Sequence, residues 1–114
     1  MRALLIAALV VTMGCVEGDP ATDDAVFCAD APVTTWDNFG AGFITENCRS
    51  CHMSSSEDRQ DAPEGVDFDS HEETVAFKDR ILARATGAEA TMPPGGGTDG
   101  DDRYLAEVWL RCAE

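Results

Sequence analysis

Residues 46–52 of the chain read ENCRSCH, in which Cys48 and Cys51 lie three residues apart and His52 directly follows the second cysteine. This Cys-x-x-Cys-His spacing serves three kinds of site: covalent attachment of haem, a dithiol/disulfide redox pair, and a metal site. The rest of the chain has to distinguish between them. The choice also decides the fold, because each kind of site needs a different scaffold around it.

The chain begins with the pattern of a secretory signal peptide. Arg2 supplies a positive charge, residues 3–11 are an uninterrupted apolar run, and Gly14-Cys15 follows shortly after. The run is shorter than the roughly 20 apolar residues of a membrane-spanning helix, so we expect no permanent transmembrane anchor. Gly14-Cys15 is similar to a bacterial lipobox, in which the cysteine is lipidated and becomes the mature N-terminus. Ordinary signal cleavage nearby is the alternative.

Export decides how the five cysteines are interpreted, because disulfides form outside the cytoplasm. If Cys15 carries lipid and Cys48 and Cys51 belong to the motif, Cys28 and Cys112 remain. We predict that these two pair and stabilise the domain by about 2–5 kcal/mol. A buried free thiol at one of them is the alternative.

The chain is strongly acidic, with 22 Asp and Glu against 8 Lys and Arg and a formal net charge of −14. This charge excludes nucleic-acid binding. It favours partner proteins with a basic docking surface. The alternative is that the acidity only keeps an exported protein soluble.

Composition divides the chain into three parts. Residues 1–14 are the predicted signal peptide. Residues 15–32 are acidic and rich in small residues, which predicts a flexible tether. Residues 33–114 form the predicted domain. Isoleucine and valine never alternate in a run after the signal peptide, so the predicted fold class is all-α with long loops.

The first predicted helix runs through residues 36–48, capped by Thr34 or Thr35, with aromatic side chains at helical spacing. Gly40 and Gly42 weaken it by up to about 1 kcal/mol each. Glycine inside a helix often marks the close approach of another element.

Two further helices are predicted toward the C-terminus. Ser70 and Glu73 match a capping box that opens a helix ending at Gly87. Thr98 and Asp101 look like a weaker box that opens a last helix, which ends near Cys112.

The surrounding sequence favours haem over the other two kinds of site. A thioredoxin-like pair lies at the start of a helix after a buried strand, whereas this pair follows a helical segment and no sheet is predicted. A structural zinc site needs four ligands, and beyond the motif only distant His71 and the outlying cysteines remain. Two thiols one helical turn apart can instead add to the two vinyl groups of haem. Cys48 and Cys51 are therefore the predicted thioether links of one covalent haem c, with His52 as the proximal iron ligand.

With two later segments, the motif makes the chain similar to the small class I c-type cytochromes over about residues 34–112. That family has a methionine in a late loop, often followed by proline, and a C-terminal aromatic and leucine-rich helix that crosses the N-terminal helix at a small residue. The segments TMPP at 91–94 and YLAEVWL at 104–110 match, and Gly40 stands at the crossing position. The resemblance implies a mono-haem domain of about three helices, with long loops wrapped around the haem.

The resemblance makes Met92 the candidate distal iron ligand. Pro93 agrees with this role because it restricts Met92 to extended backbone. Met53 lies beside His52 and cannot easily reach the opposite face of a haem. His71 is predicted to be a surface residue without a role. The alternative for Met92 is a simple filler of the loop.

Ligation by His52 and Met92 implies an electron carrier of the periplasm or cell envelope, held at a membrane only through Cys15. The iron would have no open position for a substrate, and no residue would act as acid, base or nucleophile. A five-coordinate haem protein, acting as a sensor or with peroxidase-like activity, is the alternative if Met92 is absent from the iron. A haem-free scaffold with a Cys48–Cys51 disulfide is a third possibility.

Overall fold

The computed structural model describes residues 20–114, and it contains helices but no strands in that range. The predicted all-α class is therefore confirmed for this part of the chain. Five helices are present rather than three: α1 (Pro20–Cys28), α2 (Ala41–Asn47), α3 (His71–Ala76), α4 (Lys78–Ala85) and α5 (Gly100–Cys112).

The predicted signal peptide, Cys15 and the first residues of the predicted tether lie outside the described residues. Between residues 20 and 114, every helix is too short or too polar to cross a membrane.

The first predicted helix forms as a π-helical turn (Trp36–Gly40) that leads directly into α2. Thr35 caps it, because its hydroxyl accepts the Asn38 N–H at 3.3 Å while the Asn38 side chain accepts the Thr35 N–H at 2.7 Å. Of the two threonines proposed as caps, Thr34 is instead buried, and its hydroxyl has no hydrogen-bond partner in the described part of the chain.

The second predicted helix begins where expected but is divided at Phe77. The Ser70 hydroxyl accepts the Glu73 N–H at 3.2 Å and donates to the Glu73 carboxylate at 2.7 Å, so the predicted N-terminus is confirmed. Phe77 leaves the helical conformation, and its ring packs edge-on against Phe68 at 5.9 Å. The break between α3 and α4 thus accompanies a tertiary contact. Gly87, with φ of +72°, follows the end of α4 as predicted.

The last predicted helix, α5, is capped one residue later than expected. The Asp99 carboxylate accepts the Asp101 N–H at 2.8 Å, so the predicted cap at Thr98 is wrong. The Thr98 hydroxyl instead donates to the Asn47 side chain at 2.7 Å. This bond ties the loop before α5 to the end of α2.

Helix α1 lies inside the segment interpreted from sequence as a flexible tether. Tertiary contacts hold this helix against α5. Arg111 on α5 donates to Asp24 at 2.7 Å, and the same guanidinium lies 3.9 Å above the ring of Phe27. Cys28 and Cys112, the two cysteines left for pairing, form a disulfide with their Cα atoms 5.6 Å apart. Residues 20–28 therefore form a helix joined to α5, within the segment 15–32 that was predicted to be a flexible tether.

The core lies where α5 crosses the π turn and α2. Gly40 makes this crossing possible, because a β-carbon built there would lie 2.7 Å from Cε2 of Trp109. The predicted close approach is thus real at Gly40, while nothing lies within 4 Å of a β-carbon at Gly42. The core cluster consists of Phe43, Ile44, Phe68, Ile81, Ala85, Ala106, Trp109 and Leu110.

Candidate functional site

A cavity of about 400 Å³ opens beside the core, between the loop after α2, helix α4 and the loop before α5. Its size lies within the range of about 300–1,000 Å³ that is usual for small-molecule and cofactor sites. Four predicted site residues line it: Cys48, Cys51, His52 and Met92. Much of its remaining wall is apolar, formed by Val66, Phe68, Phe77, Ile81 and Ala85.

The two thiols of the motif follow the C-terminus of a helix. Cys48 is the C-cap residue of α2, and its N–H donates to the Ile44 carbonyl at 3.0 Å. Cys51 lies in the next turn, where its N–H donates to the Cys48 carbonyl at 3.2 Å. Both are free, half-buried thiols.

Burial, with a smaller contribution from Cys51, raises the pKa of Cys48 to about 12. The attacking cysteine of a disulfide oxidoreductase has the opposite property, a lowered pKa at a helix N-terminus. The local structure of this pair is therefore unlike that of a thioredoxin-like site.

His52 is held with one ring nitrogen facing the protein. Its Nδ1 lies 2.9 Å from the Val66 carbonyl oxygen. A carbonyl can only accept a hydrogen bond, so Nδ1 carries the proton and Nε2 of the neutral ring keeps its lone pair. Histidines that bind metals usually donate their other ring N–H in this way. The ring of Phe68 stacks on His52 at 4.8 Å and fixes its orientation further.

Arg59 organises the loop that supplies the Val66 carbonyl. Its guanidinium donates to the backbone carbonyls of Met53 at 2.7 Å and Pro63 at 2.8 Å, and it pairs with Asp67 at 2.8 Å. These contacts hold the polar loop between Met53 and Asp67 in place beside His52. Arg59 could not be predicted as a site residue, since a single arginine in a polar loop carries no pattern.

A second set of contacts ties the motif to Phe68. Arg49, between the two cysteines, donates to the backbone carbonyls of Phe68 at 3.0 Å and Asp69 at 3.1 Å. The Asp69 carboxylate accepts the hydroxyl and the N–H of Ser54, and these bonds, with smaller effects of Arg49 and Arg59, lower its pKa.

Met92 is half-buried, and both its backbone N–H and its backbone carbonyl form hydrogen bonds. Its N–H donates to the Arg84 carbonyl at 2.8 Å, and its own carbonyl accepts a bond from Arg103 at 2.9 Å. The other methionine of the domain, Met53, does not line the cavity.

His71 does not line the cavity either. Its side chain is 44% exposed, stacks on Trp36 at 4.7 Å and pairs with Glu114 at 2.7 Å. His71 thus lies at the surface, as its position in the sequence predicts.

Positive charge lies around the cavity of this acidic chain. Arg80 and Arg84, one turn apart on α4, line it and are exposed. Neither forms an ion pair with a described residue, whereas Arg59 pairs with Asp67. An apolar cavity with free guanidinium groups beside it suits a ligand that is largely apolar and carries negative groups. The sequence alone gave no signal for these two arginines.

The possible metal ligands around the motif do not by themselves form a metal site. Over residues 20–114, no three His, Cys, Asp or Glu side chains come close enough together to hold a metal ion. A zinc site would need such a group. Iron held by a porphyrin ring needs only axial ligands from the protein, which one histidine and one methionine can supply.

Comparison with known proteins gives no relative: no family model matches the chain, and neither does any curated protein or solved structure. The function of the cavity is therefore inferred from the residues that line it.

Proposed function

We propose that the chain is a mono-haem c-type electron-transfer protein of the cell envelope. Cys48 and Cys51 would carry the thioether links, and His52 and Met92 would be the two axial iron ligands. The observation that supports this most is the convergence of these four side chains on one cavity, with His52 Nδ1 occupied by the Val66 carbonyl. With Nδ1 engaged by that carbonyl, Nε2 is the ring nitrogen that is left to bind a metal.

The residues present fit a covalently attached haem. The two thiols are free and line the cavity. Each can add across one vinyl group, with sulfur bonding to one carbon and hydrogen to the other, so attachment needs no oxidant. Arg80 and Arg84 can pair with the two carboxylates that haem carries. The aromatic side chains of Phe68 and Phe77 can cover the apolar ring and exclude water.

When bound, the haem supplies an iron that gains and loses one electron, and methionine ligation favours a raised potential. The protein's own contribution is to hold both ligands and to close the cavity. With His52 and Met92 both bound to it, the iron would have no open position for oxygen or peroxide, which favours electron transfer over an enzymatic or sensing role.

We propose, from the N-terminal residues, that the protein works outside the cytoplasm. Export would follow from the signal-like residues 1–14, and lipid on Cys15 would hold the domain at a membrane. Redox partners with a basic surface would suit the net charge of −14.

The test is to express the full chain in a host that attaches haem to exported c-type cytochromes. We expect a red protein that stains for haem on a denaturing gel and gains the mass of one haem. The oxidised form should also show a weak far-red band at about 695 nm, where methionine-ligated ferric haem absorbs.

The double variant C48A/C51A should lose the covalent haem, while the matched control C28S/C112S should keep it. Colourless wild-type protein without the added mass would overturn the proposal. Intact mass also reports whether Cys15 carries lipid.

A further inference from the structure

The loop that carries Met92 has little structure of its own. Residues 93–97 read PPGGG, and Gly96 and Gly97 both have positive φ. One short turn, from the Gly96 N–H to the Pro93 carbonyl at 2.9 Å, lies within this segment. The position of Met92 must therefore be set by contacts with the helices on either side.

Helix α4 provides the first of these contacts. The N–H groups of Thr91 and Met92 both donate to the Arg84 carbonyl at 2.8 Å. This carbonyl belongs to the last turn of α4, where intrahelical donors are absent. The bonds fix the chain as it enters the cavity.

Arg103 on α5 provides the second contact. One nitrogen of its guanidinium, Nη1, donates to the Met92 carbonyl at 2.9 Å and to the Ala85 carbonyl at 2.7 Å. Ala85 is the last residue of α4, so a cation there also interacts favourably with the helix dipole. A single guanidinium thus joins the end of α4, the start of α5 and the backbone of Met92.

This use of an arginine is unusual for so acidic a chain. Arg103 is half-buried, and none of the carboxylates in the described part of the chain forms an ion pair with it. Its hydrogen bonds go to two neutral carbonyls instead. Hydrogen bonds from a charged donor are stronger than neutral ones, so the pair is well suited to hold a loop.

We propose that Arg103 is a positioning residue that keeps the Met92 thioether within reach of the iron, an inference that rests on the proposed function. It does not touch the iron. The bond to the Met92 carbonyl would be lost if the loop moved away from the cavity, so it favours the arrangement in which Met92 can reach the iron. Losing it releases Met92 more readily without affecting haem attachment.

The test compares R103L with R111L, because Arg111 lies on the same helix, is also half-buried and makes two hydrogen bonds, to Asp24 and Glu107, but does not line the cavity. Imidazole is titrated into the oxidised holoprotein, and its competition with Met92 is followed by loss of the far-red band. We expect R103L to keep its covalent haem and to lose the band at an imidazole concentration at least about tenfold lower than wild type, equivalent to 1.4 kcal/mol. R111L should require the wild-type concentration, and R103K should lie between R103L and wild type.

An R103L protein that resists imidazole as wild type does would overturn the inference. Equal sensitivity of R111L and R103L would do the same, because it would indicate general loosening of the fold. If the leucine variants do not fold, R103K and R111K are compared by the same criterion. Wild-type protein without haem would overturn the proposed function, an outcome that is distinct from either of these.

Discussion

The backbone of Gly40 lies in direct contact with the indole ring of Trp109, which is fully buried. The ring cannot easily retreat, because its Nε1–H donates to Glu114 at 2.8 Å and its face lies beside Trp36. This contact sets the crossing of α5 over the π turn and α2. Helix α2 follows directly after Gly40 and leads to Cys48, the first residue of the Cys-x-x-Cys-His motif.

Gly40→Ala should destabilise the protein by about 1–3 kcal/mol, because the added methyl group overpacks against Trp109. The matched control is Gly42→Ala, at an exposed helical position with open space, which should stabilise by up to about 1 kcal/mol. Urea unfolding followed by circular dichroism measures both changes. Shifts of the same sign in the two variants would contradict the packing described here.

Met92→Leu should remove the far-red band of the oxidised protein and allow carbon monoxide to bind the reduced protein at once, because the leucine side chain cannot ligate iron. Met53→Leu should leave both properties unchanged, since Met53 does not line the cavity. Visible spectra of the two variants with equal haem content make the comparison. If the band survives in M92L, another residue is the sixth ligand.

The double variant C28S/C112S should lose about 2–5 kcal/mol of stability, because the disulfide closes a loop across 84 residues of sequence separation. The same loss should follow when dithiothreitol is added to the wild-type protein. Guanidinium unfolding measures it. Haem content should not change, since Cys48 and Cys51 are separate from this bond, and parallel loss of haem would show that the two pairs are not independent.

Asp69→Asn should destabilise the protein at neutral pH, with a difference from wild type that shrinks in acid. The hydrogen bonds from Ser54 lower the pKa of Asp69, so its stabilising effect is fully present above the ordinary aspartate pKa of about 3.9. The effect is lost as the pH falls through the lower value of the folded protein. Unfolding free energies measured between pH 7 and 3 test this, and Ser54→Ala should weaken the dependence. A pH-independent difference would show that the carboxylate charge is not involved.

The helices that were predicted correctly have local signals. The Ser70 cap and the apolar spacing before Cys48 each depend on residues that are close in sequence, and the structure forms helices at both places. Motif spacing likewise singled out Cys48, Cys51 and His52, whereas Met92 was chosen through the family resemblance of the segment TMPP, and the fold brings all four to a single cavity. Local hydrogen bonding and side-chain periodicity were sufficient for the helices.

The features that were missed depend on residues far apart in the sequence. Helix α1 looks like an acidic tether until Arg111 and Cys112 are placed against it. Phe77 interrupts a continuous helical pattern where its ring meets Phe68. Arg103 lies in an amphipathic helix, where sequence alone predicts a solvated surface cation, and only the fold shows the carbonyls to which it donates.

The disulfide between Cys28 and Cys112 also turns most of the domain into a covalent ring. Every residue that lines the cavity, from Asn47 to Pro94, belongs to that ring. A protease that nicks an exposed loop once would therefore leave two peptides still joined. Under oxidising conditions, a damaged molecule would keep its fragments, and any group bonded to them, until a reductant opened the ring.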